Sequence, residues 1–174
     1  MTDSDLLRGA IRDVPDFPKP GILFKDITPV LLDPRLFELA ARGMADGFTD
    51  DRVTRVVAIE SRGFMFGAPV ALRLAAGLVP VRKPGTLPAA RPRVESALEY
   101  GTDALEMQAD ASGPRDRVLI VDDVLATGGT AEAAGRLVRE RGATIAGFSF
   151  LIELGFLNGR ERLVPARVES LVRY

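Results

Sequence analysis

The run Val118-Leu119-Ile120-Val121-Asp122-Asp123-Val124-Leu125-Ala126-Thr127-Gly128-Gly129-Thr130 narrows the possible folds of this chain more than any other stretch. Four apolar, mostly β-branched residues predict a buried strand that ends in two adjacent carboxylates. A Thr- and Gly-rich loop follows and opens a helical pattern at Ala131, Ala134, Leu137 and Val138. A strand that hands a glycine loop to a helix N-terminus makes an anion site, because free backbone N–H groups and the positive end of the helix dipole face the same point. Gly128 and Gly129 permit backbone angles and a close approach that a side chain would block. Thr127 and Thr130 add hydroxyl donors, and Asp122 and Asp123 can accept hydrogen bonds from sugar hydroxyls. A Gly-Gly pair alone would mean no more than a capped turn. The whole string predicts phosphate below and diol above, the outline of a phosphorylated ribose. It carries neither the Gly-Lys-Thr/Ser of a Walker loop nor the Gly-x-Gly-x-x-Gly of dinucleotide folds.

The rest of the chain supplies the elements around such a loop. Leu6, Leu7, Ala10, Ile11 and Val14 have helical spacing, after which Pro15, Pro18, Pro20 and Gly21 forbid regular structure. Asp33-Pro34 reads as an N-cap with Pro at the first helical position, followed by a helix with Phe37, Ala40, Ala41, Met44 and Phe48 on its buried face. Strands are predicted at Arg55–Ile59, Leu78–Arg82, Val118–Asp122 and Ile145–Ile152, with a helix at Phe64–Ala76. Strands alternating with helices predict an α/β fold, a mostly parallel twisted sheet flanked by helices. Val94 to Tyr100 and Ala104 to Gln108 alternate around Gly101-Thr102-Asp103, so residues 84–112 are expected to form a flexible hairpin lid, or else a hairpin packed on the sheet. At 174 residues the chain is expected to be a single domain.

Absences in the composition restrict the chemistry. With no Cys and no His, disulfides, thiolate nucleophiles, Cys–zinc sites and histidine triads are excluded. Proton transfer must rest on Asp, Glu, Lys, Tyr or water. The net charge of −1 argues against a general nucleic-acid binder, and no apolar run reaches membrane-spanning length. Met1–Gly9 lacks the basic and apolar regions of a signal peptide, so the expected location is the cytoplasm.

The central string resembles the phosphoribosyl pyrophosphate (PRPP) motif of type I phosphoribosyltransferases, which implies the fold of that family. Four further segments resemble the adenine-specific branch. Glu60-Ser61-Arg62-Gly63-Phe64 is similar to its pyrophosphate loop, and the segment from Asp16 to Pro29 to its N-terminal hood, here about residues 1–32. Leu98-Glu99-Tyr100-Gly101 is similar to its catalytic loop, and Glu153-Leu154 leading to Leu157 to the far wall of its base pocket.

The resemblance implies a role for each matching position. Phe24 would stack on the purine, backbone groups at Leu23 would read its edge, and Leu157 would close the opposite face. Lys25 stands where many members carry Arg; it keeps the charge without the bidentate fork. Ala126, Thr127, Gly128, Gly129 and Thr130 would hold the 5′-phosphate, with Asp122 and Asp123 on the ribose hydroxyls. Arg62 and Lys83 each follow a predicted strand and are the candidates for pyrophosphate; Arg62 alone could equally pair with Glu60, and Lys83 could be a solvated surface charge. A non-proline cis peptide is expected within residues 59–63. Glu99 would be the general acid/base near N7 of the purine, and Tyr100 would help shape the closed lid. Ala126 stands where enzymes for 6-oxopurines usually carry Asp, and an orotate enzyme would be expected to bring a histidine in its lid; adenine is therefore favoured over both.

The implied substrates are adenine and PRPP, with Mg²⁺ carried mainly by the pyrophosphate and no direct protein ligand to the metal. A homodimer is implied by the family alone. Two other classes stay open on the sequence. A PRPP-binding regulator without catalysis would need a nucleic-acid surface that the charge balance does not suggest, and a generic nucleotide-binding domain would leave the hood and lid motifs unexplained.

Overall fold

The computed structural model describes residues 2–87, 93–98 and 101–174, with backbone only for 93–98 and 101–104. The apolar runs become strands because their residues are buried on alternate faces. Val57, Ile59, Val118 and Ile120 enter one core, while Val56, Leu119 and Val121 enter the other. Such two-sided burial is what a parallel sheet with both faces covered requires.

In chain order the elements are α1 (Asp3–Ala10), β1 (Arg12–Pro15), β2 (Leu23–Asp26), α2 (Thr28–Leu32), α3 (Pro34–Asp46), β3 (Arg55–Ile59), α4 (Gly63–Arg73) and β4 (Gly77–Val81). They continue as β5 (Arg93–Leu98), β6 (Gly101–Gln108), β7 (Arg117–Leu125), α5 (Gly129–Glu140), β8 (Thr144–Glu153) and β9 (Val168–Arg173). Two 3₁₀ turns, Gly155–Leu157 and Gly159–Leu163, lie between β8 and β9. The main sheet runs β4-β3-β7-β8-β9 with every pair parallel. Ala131, Ala134, Leu137 and Val138 of α5 pack on one face together with Leu105 and Met107 of β6. Residues of α1 to α4 cover the other face, with Leu7, Met44, Phe66 and Val70 fully enclosed. Among the described residues no helix is long and apolar enough to cross a membrane.

Several local expectations hold. Asp33 accepts from the N–H groups of Arg35 and Leu36 at 2.8 and 3.4 Å, with Pro34 opening α3. The strand at Arg55–Ile59 is as read from the sequence. Four expectations need correction. The N-terminal helix ends at Ala10 and not at Val14, because residues 12–15 pair with residues 23–26 instead. That hairpin sets opposite charges across from each other, Arg12–Asp26 at 2.6 Å and Lys25–Asp13 at 2.5 Å. The central strand does not stop at the carboxylates. It runs through Val124 and Leu125, which pair with Ile152 and Glu153 of β8. Gly101-Thr102-Asp103 belongs to β6 and not to a turn, with Leu98 opposite Gly101. Finally, β9 is absent from the strands the sequence predicts; its half-polar sequence is held by pairing to β8.

Candidate active site

In a parallel sheet the loops that follow the strands all leave at the carboxyl edge, which is where ligands of such folds bind. Three of them meet beside the neighbouring strands β4, β3 and β7 and enclose a cleft of about 670 Å³. Arg62 comes from the loop after β3, Lys83 from the turn after β4, and Asp122 to Ala131 from the end of β7 and the start of α5. The predicted phosphate and pyrophosphate residues are thus brought to one place by topology.

The loop into α5 has the geometry of an anion cradle. Gly128 is the N-cap with a left-handed backbone at φ 85°, and no side chain caps the helix. Its first-turn N–H groups therefore have no intrahelical acceptor. A Cβ at Gly128 would fall on the carbonyl oxygen of Gly159, and a Cβ at Gly159 on that of Ala126, both far inside contact distance. Backbone lies directly on backbone here, and the Gly159–Leu163 turn is the floor of the loop.

That floor is pinned. Arg160 donates from Nε and Nη2 to the two carboxylate oxygens of Glu153, at 3.1 and 2.5 Å, and from Nη1 to the carbonyl of Val168 at 2.7 Å. The Ser170 hydroxyl donates to Glu153 at 2.5 Å. Glu153 is almost fully buried, and the Arg160 hydrogen bonds hold its carboxyl below the ordinary carboxylate value. Reading the sequence missed Gly159 and Arg160 and gave Glu153 only a place in the base-pocket wall. The available signal was a carboxylate ending a buried strand, which must find a partner.

Arg62 does not pair with Glu60. Its Nε lies 2.8 Å from Asp123 Oδ2, an ion pair without aligned hydrogen-bond geometry, and its guanidinium carbon is 5.3 Å from the centre of the Phe24 ring. Phe24 also meets Phe17 edge-on at 5.1 Å. Glu60 instead accepts the Lys83 N–H at 2.8 Å. The Glu60–Ser61 peptide is cis, as expected.

The remaining candidates lie elsewhere. Leu23 is half exposed on β2 and Leu157 is exposed at the end of its 3₁₀ turn; neither lines the cleft. The ammonium of Lys25 rests on Asp13 and sits 3.7 Å from the Tyr174 ring centre, outside the cleft lining. Glu99 and Tyr100 lie outside the described residues.

Asp122 Oδ1 accepts the N–H of Asp123 at 2.9 Å, and the two side chains repel each other when both are charged. Burial, then the neighbouring Asp123 charge, pushes the Asp122 carboxyl well above the ordinary range. Burial also raises Asp123, with the Arg62 cation opposing it. An acid whose folded pKa exceeds its unfolded one binds more protons when folded, so stability falls as pH rises from the ordinary carboxylate range through the folded pKa. Asp122→Asn is therefore expected to raise the Tm at pH 7 by roughly 2–4 °C, on the order of 1 kcal/mol for a chain of this size. The gain should vanish near pH 3, where both forms are neutral. Scanning calorimetry at the two pH values checks this; a lower Tm at pH 7 would contradict it.

This geometry has counterparts of known identity. Residues 31–167 match the phosphoribosyl transferase domain. The adenine phosphoribosyltransferase of Anaeromyxobacter dehalogenans (strain 2CP-C) is 58% identical over 170 residues, covering 98% of this chain and 99% of that protein. The crystal structure of adenine phosphoribosyltransferase from Rhodothermus marinus DSM 4252 superimposes with a TM-score of 0.91 at 52% identity, over 99% of this chain and 98% of that one. The Saccharomyces cerevisiae enzyme, solved with an imino-altritol bisphosphate and adenine, gives a TM-score of 0.88 at 39% identity, over 97% and 98% of the two chains. A carboxylate pair ahead of an uncapped glycine loop, matched over nearly the whole length of such relatives, means that this chain belongs to the phosphoribosyl transferase family and, within it, to the adenine phosphoribosyltransferases.

Proposed function

We infer that the chain transfers the 5-phosphoribosyl group of PRPP to adenine, giving AMP and pyrophosphate. The observation that carries this reading is the convergence of the uncapped Gly128–Thr130 loop, the Asp122–Asp123 pair and Arg62 on one cleft, with Phe24 directly beyond Arg62. In that reading the bond from ribose C1 to pyrophosphate breaks as the base nitrogen bonds to the same carbon. Positive charge grows on the sugar and negative charge on the leaving group.

The loop amides at residues 128–131 hold the 5′-phosphate, and Asp122 and Asp123 accept from the ribose hydroxyls. Arg62 and Lys83 face the pyrophosphate. When pyrophosphate binds, Arg62 exchanges its contact with Asp123 for phosphate oxygens. Phe24 stacks on adenine with Leu23 and Leu157 near the ring, and Lys25 braces the β1–β2 hairpin from Asp13. Glu99 shuttles the proton at the purine, with Tyr100 beside it in sequence. Among the described residues no group of three or more acidic, Cys or His side chains is placed to cage a metal; of the three carboxylates lining the cleft, Asp123 is already against Arg62 and Glu60 accepts the Lys83 N–H. This donor set fits Mg²⁺ held mostly by substrate oxygens and water, where it would add positive charge against the leaving group. A cytoplasmic homodimer belongs to the same reading on the family resemblance alone.

The test mixes the protein with PRPP, Mg²⁺ and single purine bases, and follows nucleotide and pyrophosphate. AMP from adenine is expected, with far slower use of hypoxanthine and guanine. IMP or GMP as the main product would overturn the substrate assignment.

A further inference from the structure

The turn that carries Lys83 is held by two carboxylates, Glu60 at the cleft and Glu106 behind it. Glu106 sits on β6 with no exposed surface, while its neighbour Leu105 lines the cleft and Glu106 does not. Its Oε1 accepts the main-chain N–H of Gly85 at 2.9 Å. From the opposite side Glu60 Oε2 accepts the N–H of Lys83 at 2.8 Å, two residues earlier in the same turn. Arg82 closes the arrangement. Its backbone exchanges two hydrogen bonds with that of Glu106 at 2.9 and 2.7 Å, and its Nη1 donates to the carbonyl of Thr86 at 3.0 Å. Its Nε is 3.6 Å from Glu60. The Thr86 hydroxyl donates back to the Lys83 carbonyl at 2.8 Å. Lys83 itself is exposed, and it lines the cleft.

Burying a carboxylate is costly unless hydrogen bonds meet it, so a fully enclosed Glu106 signals a geometry that the fold enforces. Leu105 and Met107 on either side project from the other face of β6 into the core with α5, which leaves Glu106 on the face next to the Lys83 turn. A long flexible ammonium contributes most when its backbone root is fixed beforehand, because less freedom is lost on binding.

We propose that Glu106 is a positioning residue for pyrophosphate binding: it acts through the Gly85 N–H, together with Glu60 on the Lys83 N–H, to fix the turn that aims Lys83 into the cleft. The proposal rests on the reading of Lys83 as a pyrophosphate ligand. It ties the end of β3, the turn after β4 and strand β6 into one cradle.

The test is a double-substitution cycle on Mg²⁺-PRPP affinity, measured by calorimetry. Glu106→Leu keeps the volume and removes the acceptor; it should weaken PRPP about tenfold alone, and less than twofold in a Lys83→Ala background. The loss should fall on KM for PRPP and not on kcat at saturation or on KM for adenine. Glu106→Gln, which retains an acceptor for Gly85, should recover most of the affinity. An equal loss in both backgrounds, or no recovery with Gln, would overturn the proposal. Lys83→Ala without effect on PRPP would remove the reading of Lys83 itself, and the proposal with it, a result distinct from additivity. Independent of any variant, the Lys83 and Gly85 amides of the unsubstituted, unliganded protein should be protected in hydrogen exchange. Unprotected exchange at both would also overturn it.

Discussion

Gly128→Ala is expected to weaken PRPP binding by at least a hundredfold. Two effects add at this position. The backbone is left-handed at φ 85°, a conformation that costs an L-residue roughly 1–2 kcal/mol. The new methyl would also land on the Gly159 carbonyl oxygen, which is main chain and has no rotamer to change. Gly159 cannot retreat easily, because the next residue, Arg160, is fastened to Glu153 and to the Val168 carbonyl. The strain is relieved by moving the loop, and that displaces the N–H groups that face the phosphate. Oriented donors lose most of their value with displacements near 1 Å. Calorimetric titration with PRPP measures the outcome; affinity within fivefold of the parent would show that the loop amides do not carry the phosphate.

Glu99→Gln is expected to lower kcat by about 10²–10⁴-fold while PRPP affinity stays within about threefold. The chain contains no His and no Cys, so the proton at the purine needs a carboxyl, a Lys, a Tyr or water. The carboxylates in the cleft are engaged, Glu60 with the Lys83 N–H, Asp122 with the Asp123 N–H and Asp123 with Arg62. The two aspartates are also proposed to face the sugar, on the wrong side of C1 for the base. Glu99 stands in sequence between the paired residues Leu98 and Gly101. Gln keeps the shape and loses the proton, so binding and turnover should separate. Single-turnover kinetics with bound PRPP reads the chemical step directly; a kcat within fivefold of the parent would remove Glu99 from this role.

Features of this molecule that depend on neighbours along the chain are legible in its amino-acid order. The Asp33-Pro34 cap, the apolar run of β3 and the strand–glycine–helix unit each follow from residues a few positions apart. Partner choice is not legible there. Arg62 and Glu60 are two residues apart, yet Arg62 reaches Asp123 on a neighbouring strand and Glu60 turns to Lys83. Val14 fits a helical stripe by spacing, but pairing with Phe24 across the hairpin draws it into a strand. Val124 and Leu125 extend β7 past the two aspartates because β8 lies alongside to pair with them.

What the amino-acid order decided was the chemistry on offer: a left-handed glycine ahead of a helix, two adjacent carboxylates, and no imidazole or thiol to compete with them. Only the folded chain decided which backbone lies under the phosphate loop and which carboxylates brace the Lys83 turn. Gly159 follows Gly128 by 31 positions and Glu106 follows Gly85 by 21. Contacts at such separations form only when the sheet closes, since the burial that holds them comes from packing on several strands and not from any local preference.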